Sequence, residues 1–262
     1  MSSLVRAEFR KVFTTRMWLG LSMGGVILVA FYTVVIAFTA GTARTGGYNG
    51  VKSLADPGTV RAVYGVPFEI GYLIPMLLGI LLICGEFRHR TITPTFLVAP
   101  RRSPVLVAKV IVAGIVGFGM GVLFTAEAAV IGAIVIAGRG YPVLLTSDGV
   151  PRMLALMAAG LAVWAVVGVG FGALLKNQMA AVLAAIGIVT LLEGLLTLGL
   201  QWIHLSGVAK LLPSNAANAI VQPSTVKAAN LLPWWGGAIV LLAWGVGTAI
   251  LGGAFTLRRD VT

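Results

Sequence analysis

Along this 262-residue chain, apolar residues come in long unbroken runs, and the polar positions collect between them. Six runs are long enough to cross a bilayer, which takes roughly 20 apolar residues: about 17–40, 67–84, 105–137, 152–175, 179–201 and 234–257. Each is apolar around its whole circumference, as a helix must be where no water can satisfy its surroundings. Strands of a membrane barrel would alternate at every second residue, and these runs do not. The predicted fold class is therefore all-α: a polytopic membrane protein with six transmembrane helices, forming one membrane domain over residues 1–262. The first run, Met17 to Ala40, is too long for a cleavable signal and lacks a small-residue cleavage site, so it reads as a span.

Two polar stretches are patterned rather than random. At about 100° per residue, Leu4, Val5, Phe9, Val12 and Phe13 fall within half a circumference, with Arg6 and Arg10 opposite. This predicts a basic amphipathic helix lying in the membrane interface, with Arg16 and Trp18 marking the entry into lipid. The plainer alternative is an extension of the first span. Between the second and third spans, the stretch from Gly85 to Pro104 mixes charges and hydroxyls with Ile92, Phe96, Leu97 and Val98, more apolar surface than a tether needs. Thr91 or Thr93 can cap a short helix with Pro94 early in it, and Pro100 and Pro104 restrict its continuation. Such a helix suits docking into a groove on a partner, while a basic anchor with incidental apolar residues explains the same stretch equally well.

Composition narrows the class. The chain is 58% apolar and 10% charged, with a mean hydropathy of +1.00, whereas a soluble domain carries about 25% charged residues. A single cysteine, Cys84, excludes a disulfide-stapled module and reads as a small apolar packer. The net charge of +11 does not point to nucleic acid, because the bases sit in short loops beside apolar runs. One set of span ends holds twelve Lys and Arg, among them Arg6, Lys11, Arg88, Arg101 and Lys109, and the other seven, among them Arg139, Arg152 and Lys210. The positive-inside rule then predicts cytoplasmic N- and C-termini.

Two carboxylates interrupt the spans: Glu127 in the third and Glu193 in the fifth. A charge near mid-bilayer costs about 2.5–3.5 kcal/mol on insertion scales. Such residues either line a path favouring cationic amphiphiles or make hydrogen-bonded contacts between helices. Glu69 reads as interfacial. Gly20/Gly24, Gly117/Gly121 and Gly168/Gly172 have a spacing that allows close helix approach, and Gly168 to Gly172 could alternatively act as a hinge. The loop at about 41–66, with Gly46-Gly47 and Asp56-Pro57-Gly58, reads as flexible and solvated. From Trp202 to Pro233 the chain is too apolar for a free loop and predicts short re-entrant or interfacial helices, with Trp234 and Trp235 anchoring the last span. The only histidines, His89 and His204, are predicted on opposite sides of the membrane, so no His-pair metal motif and no enzyme active site is evident.

The basic segment Leu4 to Thr15 is one of three features that together resemble a known family. The second is Glu86-Phe87-Arg88 leading through Thr91 and Thr93 to Leu97, Pro100 and Arg101-Arg102-Ser103. The third is Pro213-Ser214-Asn215-Ala216. The chain resembles the permease subunits of ABC-2 type transporters, in their actinobacterial branch. Family members often carry a Gly-Thr pair and a Pro-x-Ser-Arg stretch in the second loop; here Arg90 precedes Thr91 and the end is permuted. The resemblance implies an exporter subunit in a bacterial plasma membrane, pairing with itself or a paralogue and with two copies of a separate ATPase that would bind ATP and Mg. In it, the loop holding Glu86, Arg88, Thr91, Thr93, Phe96, Leu97 and Arg101 would be a cytoplasmic coupling helix. Phe9, Lys11 and Phe13 would belong to a connecting helix, Glu127 and Glu193 would be candidates for the cavity, and Pro213 and Asn215 for an outer gate. The chain carries no Gly-x-x-x-x-Gly-Lys-Ser/Thr loop, so no cofactor is expected on it. A membrane assembly or immunity protein and a secondary transporter are the alternatives.

Overall fold

The computed structural model describes residues 2–41, 53–88, 102–147, 149–175, 177–222 and 231–258. Among these the structure is helical throughout, without strands: α1 Ser2–Thr14, α2 Met17–Thr39, α3 Pro57–Tyr64, α4 Leu73–Arg88, α5 Arg102–Gly138, α6 Val150–Leu174, α7 Gln178–Ile186, α8 Glu193–Trp202, α9 Ser206–Ala209, α10 Pro213–Val221 and α11 Trp234–Arg258. π-helical segments at Pro67–Gly71 and Gly187–Leu192 lead into α4 and α8. Six helices are long and apolar enough to cross a membrane: Met17–Thr39, Pro67–Arg88, Ser103–Gly138, Val150–Leu174, Gln178–Trp202 and Trp234–Gly252. This is a multi-pass membrane architecture.

The fourth span, α6, is the hub and packs against α4, α5 and α11. Small residues allow this. A Cβ on Gly168 would strike the Met76 carbonyl of α4, one on Gly79 the Ala165 carbonyl of α6, and one on Gly121 the Ala158 carbonyl. With no water to expel from between lipid-facing helices, such close backbone approach is a main source of packing energy. The Gly117/Gly121 and Gly168/Gly172 pairs therefore pack within the chain, whereas nothing lies within 4 Å of a Cβ at Gly20 or Gly24. Spans one and five are the most exposed of the six.

One loop departs from expectation. Within 41–66, predicted to be solvated, residues 57–64 form α3, and Thr59, Val60, Ala62, Val63 and Tyr64 are buried. Asp56-Pro57 opens a helix here rather than a turn, since proline fits the first helical position, and Val60, Val63 and Tyr64 share the face turned to the bundle. The Tyr64 hydroxyl donates to the Val143 carbonyl at 2.7 Å, and burial pushes the phenol up to about 12. At this same end, Arg139 donates to the carbonyls of Ala37 and Ala40 at 2.6 and 2.9 Å, closing the last turn of α2.

Between spans five and six the chain dips back into the bundle. Ser214 meets Glu193, nine residues before the end of α8, which is about 13 Å along the helix axis. The Trp244 indole, ten residues into α11, donates to the Leu211 carbonyl at 2.8 Å. Arg152 stacks 4.6 Å from the Trp234 ring beside the start of α11.

Candidate functional site

At the end of the bundle that carries α1, four charged side chains from three helices close into an alternating ring. Glu8 on α1 accepts from Lys11 at 2.7 Å through Oε1 and from Lys109 on α5 at 2.8 Å through Oε2. Glu86 on α4 accepts from Lys11 through Oε1 at 2.6 Å, and the same oxygen forms an ion pair with Lys109 at 2.8 Å. Lys109 also donates to the Leu82 carbonyl at 3.1 Å. Glu8, Glu86 and Lys109 are buried at 4%, 7% and 4% exposure, while the Lys11 side chain is 41% exposed.

The ring is electrically balanced, with two carboxylates and two ammonium groups. Burial of Lys11 would by itself lower its pKa, but the hydrogen bonds and charges of Glu8 and Glu86 outweigh this and hold the ammonium above its ordinary value. One acceptor is left over. Glu86 Oε2 is buried and has no hydrogen-bond partner among the described residues.

Helix α1 follows from its sequence. Leu4, Val5 and Phe9 are half-buried, Val12 is buried, and Arg6 and Arg10 are exposed. Phe9 stacks on Phe13 at 6.2 Å, and Phe13 meets Trp18 edge-on at 5.1 Å across the turn at Arg16, which sits at φ 53. Sequence reasoning placed Glu86 on a loop beginning at Gly85. The structure corrects this: α4 continues through Arg88, and Glu86 turns inward to the two lysines. Arg88 is exposed in the same last turn, with Nη1 3.4 Å from Gln178. Thr91, Thr93, Phe96, Leu97 and Arg101 lie outside the described residues. Glu8 and Lys109 were missed as site residues. The signal for Glu8 was its angular position, between Leu4 and Val12 and so inside the apolar arc.

A second polar centre lies toward the opposite end. Glu193, the first residue of α8, is 5% exposed and accepts from the Ser214 amide at 2.9 Å. Asn215 donates to the Thr197 hydroxyl at 3.2 Å and to the Ala209 carbonyl at 2.7 Å. Pro213, directly before Ser214, is buried as well. These groups border an open groove of about 660 Å³ whose lining includes Val189, Thr190, Leu191, Leu195 and Leu198. Tyr72 is tilted against Trp164, with ring centroids 4.6 Å apart.

The structure thus brings together Glu193 and Asn215, which sequence reasoning had assigned to different roles. Glu127 is not among the groove's lining residues; its Oε2 is buried without a hydrogen-bond partner among the described residues. Cys84 is buried against the carbonyls of Gly172 and Leu175. No three His, Cys, Asp or Glu side chains among the described residues are grouped to hold a metal. No protein-family model matches this chain, and no curated protein is significantly similar to it.

Proposed function

We propose that this protein is the membrane-spanning subunit of an ATP-driven exporter of the ABC-2 type, moving an amphiphilic substrate with energy from a separate ATPase. The supporting observation is the buried ring Glu8–Lys11–Glu86–Lys109. It ties α1 to the last turn of α4 and the first turns of α5, the two helix ends that flank residues 89–101. A force applied to that segment, or to α1, would reach spans two and three together, because pulling these helices apart would separate buried opposite charges.

On this reading α1 is the interfacial connecting helix and residues 86–103 hold the cytoplasmic contact for the ATPase, with Phe96 and Leu97 as its apolar anchors. Both termini are cytoplasmic, and the unit is a pair of these chains, or this chain with a paralogue, bearing two ATPase copies that bind ATP and Mg. The exposed apolar faces of spans one and five then meet lipid or the second permease.

The test is affinity purification of the tagged full-length chain from its native membrane, followed by ATPase assay of the complex. An ATP-binding cassette protein should copurify, and Leu97→Asp should abolish the stimulation of its activity without lowering the amount of permease. Copurification of a non-ATPase partner alone would support the assembly or immunity reading instead. Stimulation unchanged in Leu97→Asp would remove the coupling role of the loop.

A further inference from the structure

From the groove beside α8 we infer a binding site for a cationic amphiphile, whose head competes with helix α10 for the carboxylate of Glu193. The inference stands apart from the ATPase reading, since it concerns only what the groove holds.

Helix α10 starts without a side-chain cap of its own: Leu212 occupies the cap position, and Pro213 follows. The first helical amides need acceptors, and Glu193 supplies one from another helix, through the 2.9 Å bond from the Ser214 amide. A carboxylate offers roughly four acceptor positions, and Ser214 takes at most two of them, through its amide and its hydroxyl. The described residues lining the groove include no Lys or Arg. Burial away from water disfavours the charge on this carboxylate, and with no cation among the groove's described lining residues, a positively charged occupant would supply the missing counter-charge where a neutral or anionic one would not.

The walls suit a tail. Leu191, Leu195 and Leu198 share an apolar face of the lining, to which Val189 adds, and Thr190, Thr197 and Asn215 give the head region further polar contacts. A primary alkylammonium fits: three donors on a compact head and a hydrocarbon chain along α8.

Binding would also move something. Helix α8 packs chiefly on its own chain neighbours, the π-helical segment and α9. Its hydrogen-bonded ties to α10 are Glu193 to Ser214 and Thr197 to Asn215. An ammonium is a stronger partner for a carboxylate than a neutral amide, so a bound head group draws Glu193 away from Ser214 and loosens the start of α10. The π-helical segment directly before Glu193 is a kind of irregularity found often at functional sites.

The experiment uses the full-length chain in phosphatidylcholine nanodiscs, with dodecylammonium and dodecanol as probes and empty nanodiscs as the partition blank. Binding is read by equilibrium dialysis, and hydrogen exchange by mass spectrometry over residues 211–218. The wild type should bind dodecylammonium about tenfold or more tightly than dodecanol, and exchange in 211–218 should accelerate with the amine alone. Glu193→Gln should bring the two ligands to within about twofold of each other. If that variant does not fold, Glu193→Asp carries the test: it keeps the charge and should keep the amine preference, with faster exchange in 211–218 before any ligand is added. Equal binding of amine and alcohol by the wild type overturns the inference. So does an amine preference that survives Glu193→Gln or is lost in Glu193→Asp, or amine binding that leaves exchange unchanged.

Discussion

Glu8 and Lys109 stand 101 residues apart in the chain and 2.8 Å apart in the fold, both nearly sealed from solvent. A buried pair of this kind contributes little over a well-packed apolar replacement, yet removing Lys109 leaves two buried carboxylates sharing Lys11 alone, at a cost of up to about 3–5 kcal/mol. Lys109→Met should therefore lower the thermal unfolding midpoint sharply in detergent. The double variant Glu8→Gln/Lys109→Met should recover much of that loss. Additive losses in the double variant would mean that the two residues are not coupled.

Lys11 closes the ring on its half-exposed side, and its pH behaviour has a definite sign. Its pKa is raised above the ordinary 10.5, so the native state holds this proton more tightly than the unfolded chain does. The stabilisation is fully present below that value and is lost as pH rises through the higher native one. Trypsin cleavage at Arg6 and Arg10 should thus be steady from neutral to about pH 10 and speed up above it. In Lys11→Met, the extra acceleration at high pH should be absent.

Glycines that look alike in sequence should separate by experiment. Gly168→Ala drives a Cβ into the Met76 carbonyl, a contact that only movement of α4 away from α6 can relieve. It should cost several kcal/mol, at the upper end of single-substitution effects. Gly20→Ala and Gly24→Ala meet nothing in this chain and should stay within about 0.5 kcal/mol by thermal unfolding of the monomer. If those two variants weaken self-association measured by crosslinking, the open face of span one is where a second helix sits.

Tyr64→Phe removes the bond to Val143 and leaves a carbonyl acceptor unmet. A loss of about 1 kcal/mol is expected, read as faster hydrogen exchange in residues 57–64. No change would mean that α3 is held by its apolar face alone.

The membrane architecture was legible because a bilayer imposes a length and an all-round apolarity that can be counted residue by residue. Helix α1 was legible through its periodicity, yet Glu8 was not recognised as buried, because periodicity says which face turns inward and not that a carboxylate there finds two lysines. Glu86 was picked out as a site residue, but its surroundings were misjudged. Helix α4 runs on through Arg88 with Glu86 paired to Lys11 and Lys109, and that pairing is visible only in three dimensions. Helix α3 was hidden for a related reason: Asp-Pro-Gly marks a turn or a helix start alike, and burial against the bundle decides between them. The Glu193–Ser214 bond joins residues on different helices with no local pattern to announce it.

The π-helical stretches at Pro67–Gly71 and Gly187–Leu192 give two of the spans tolerance for changes in length. A wide turn holds spare backbone, so deleting one residue inside 187–192 can be absorbed by reverting to ordinary α geometry. The same deletion within α5 would rotate everything beyond it by about 100°. Evolution could thus have retuned the aim of Glu193, by lengthening or trimming that turn, while leaving the central α4–α6 packing untouched.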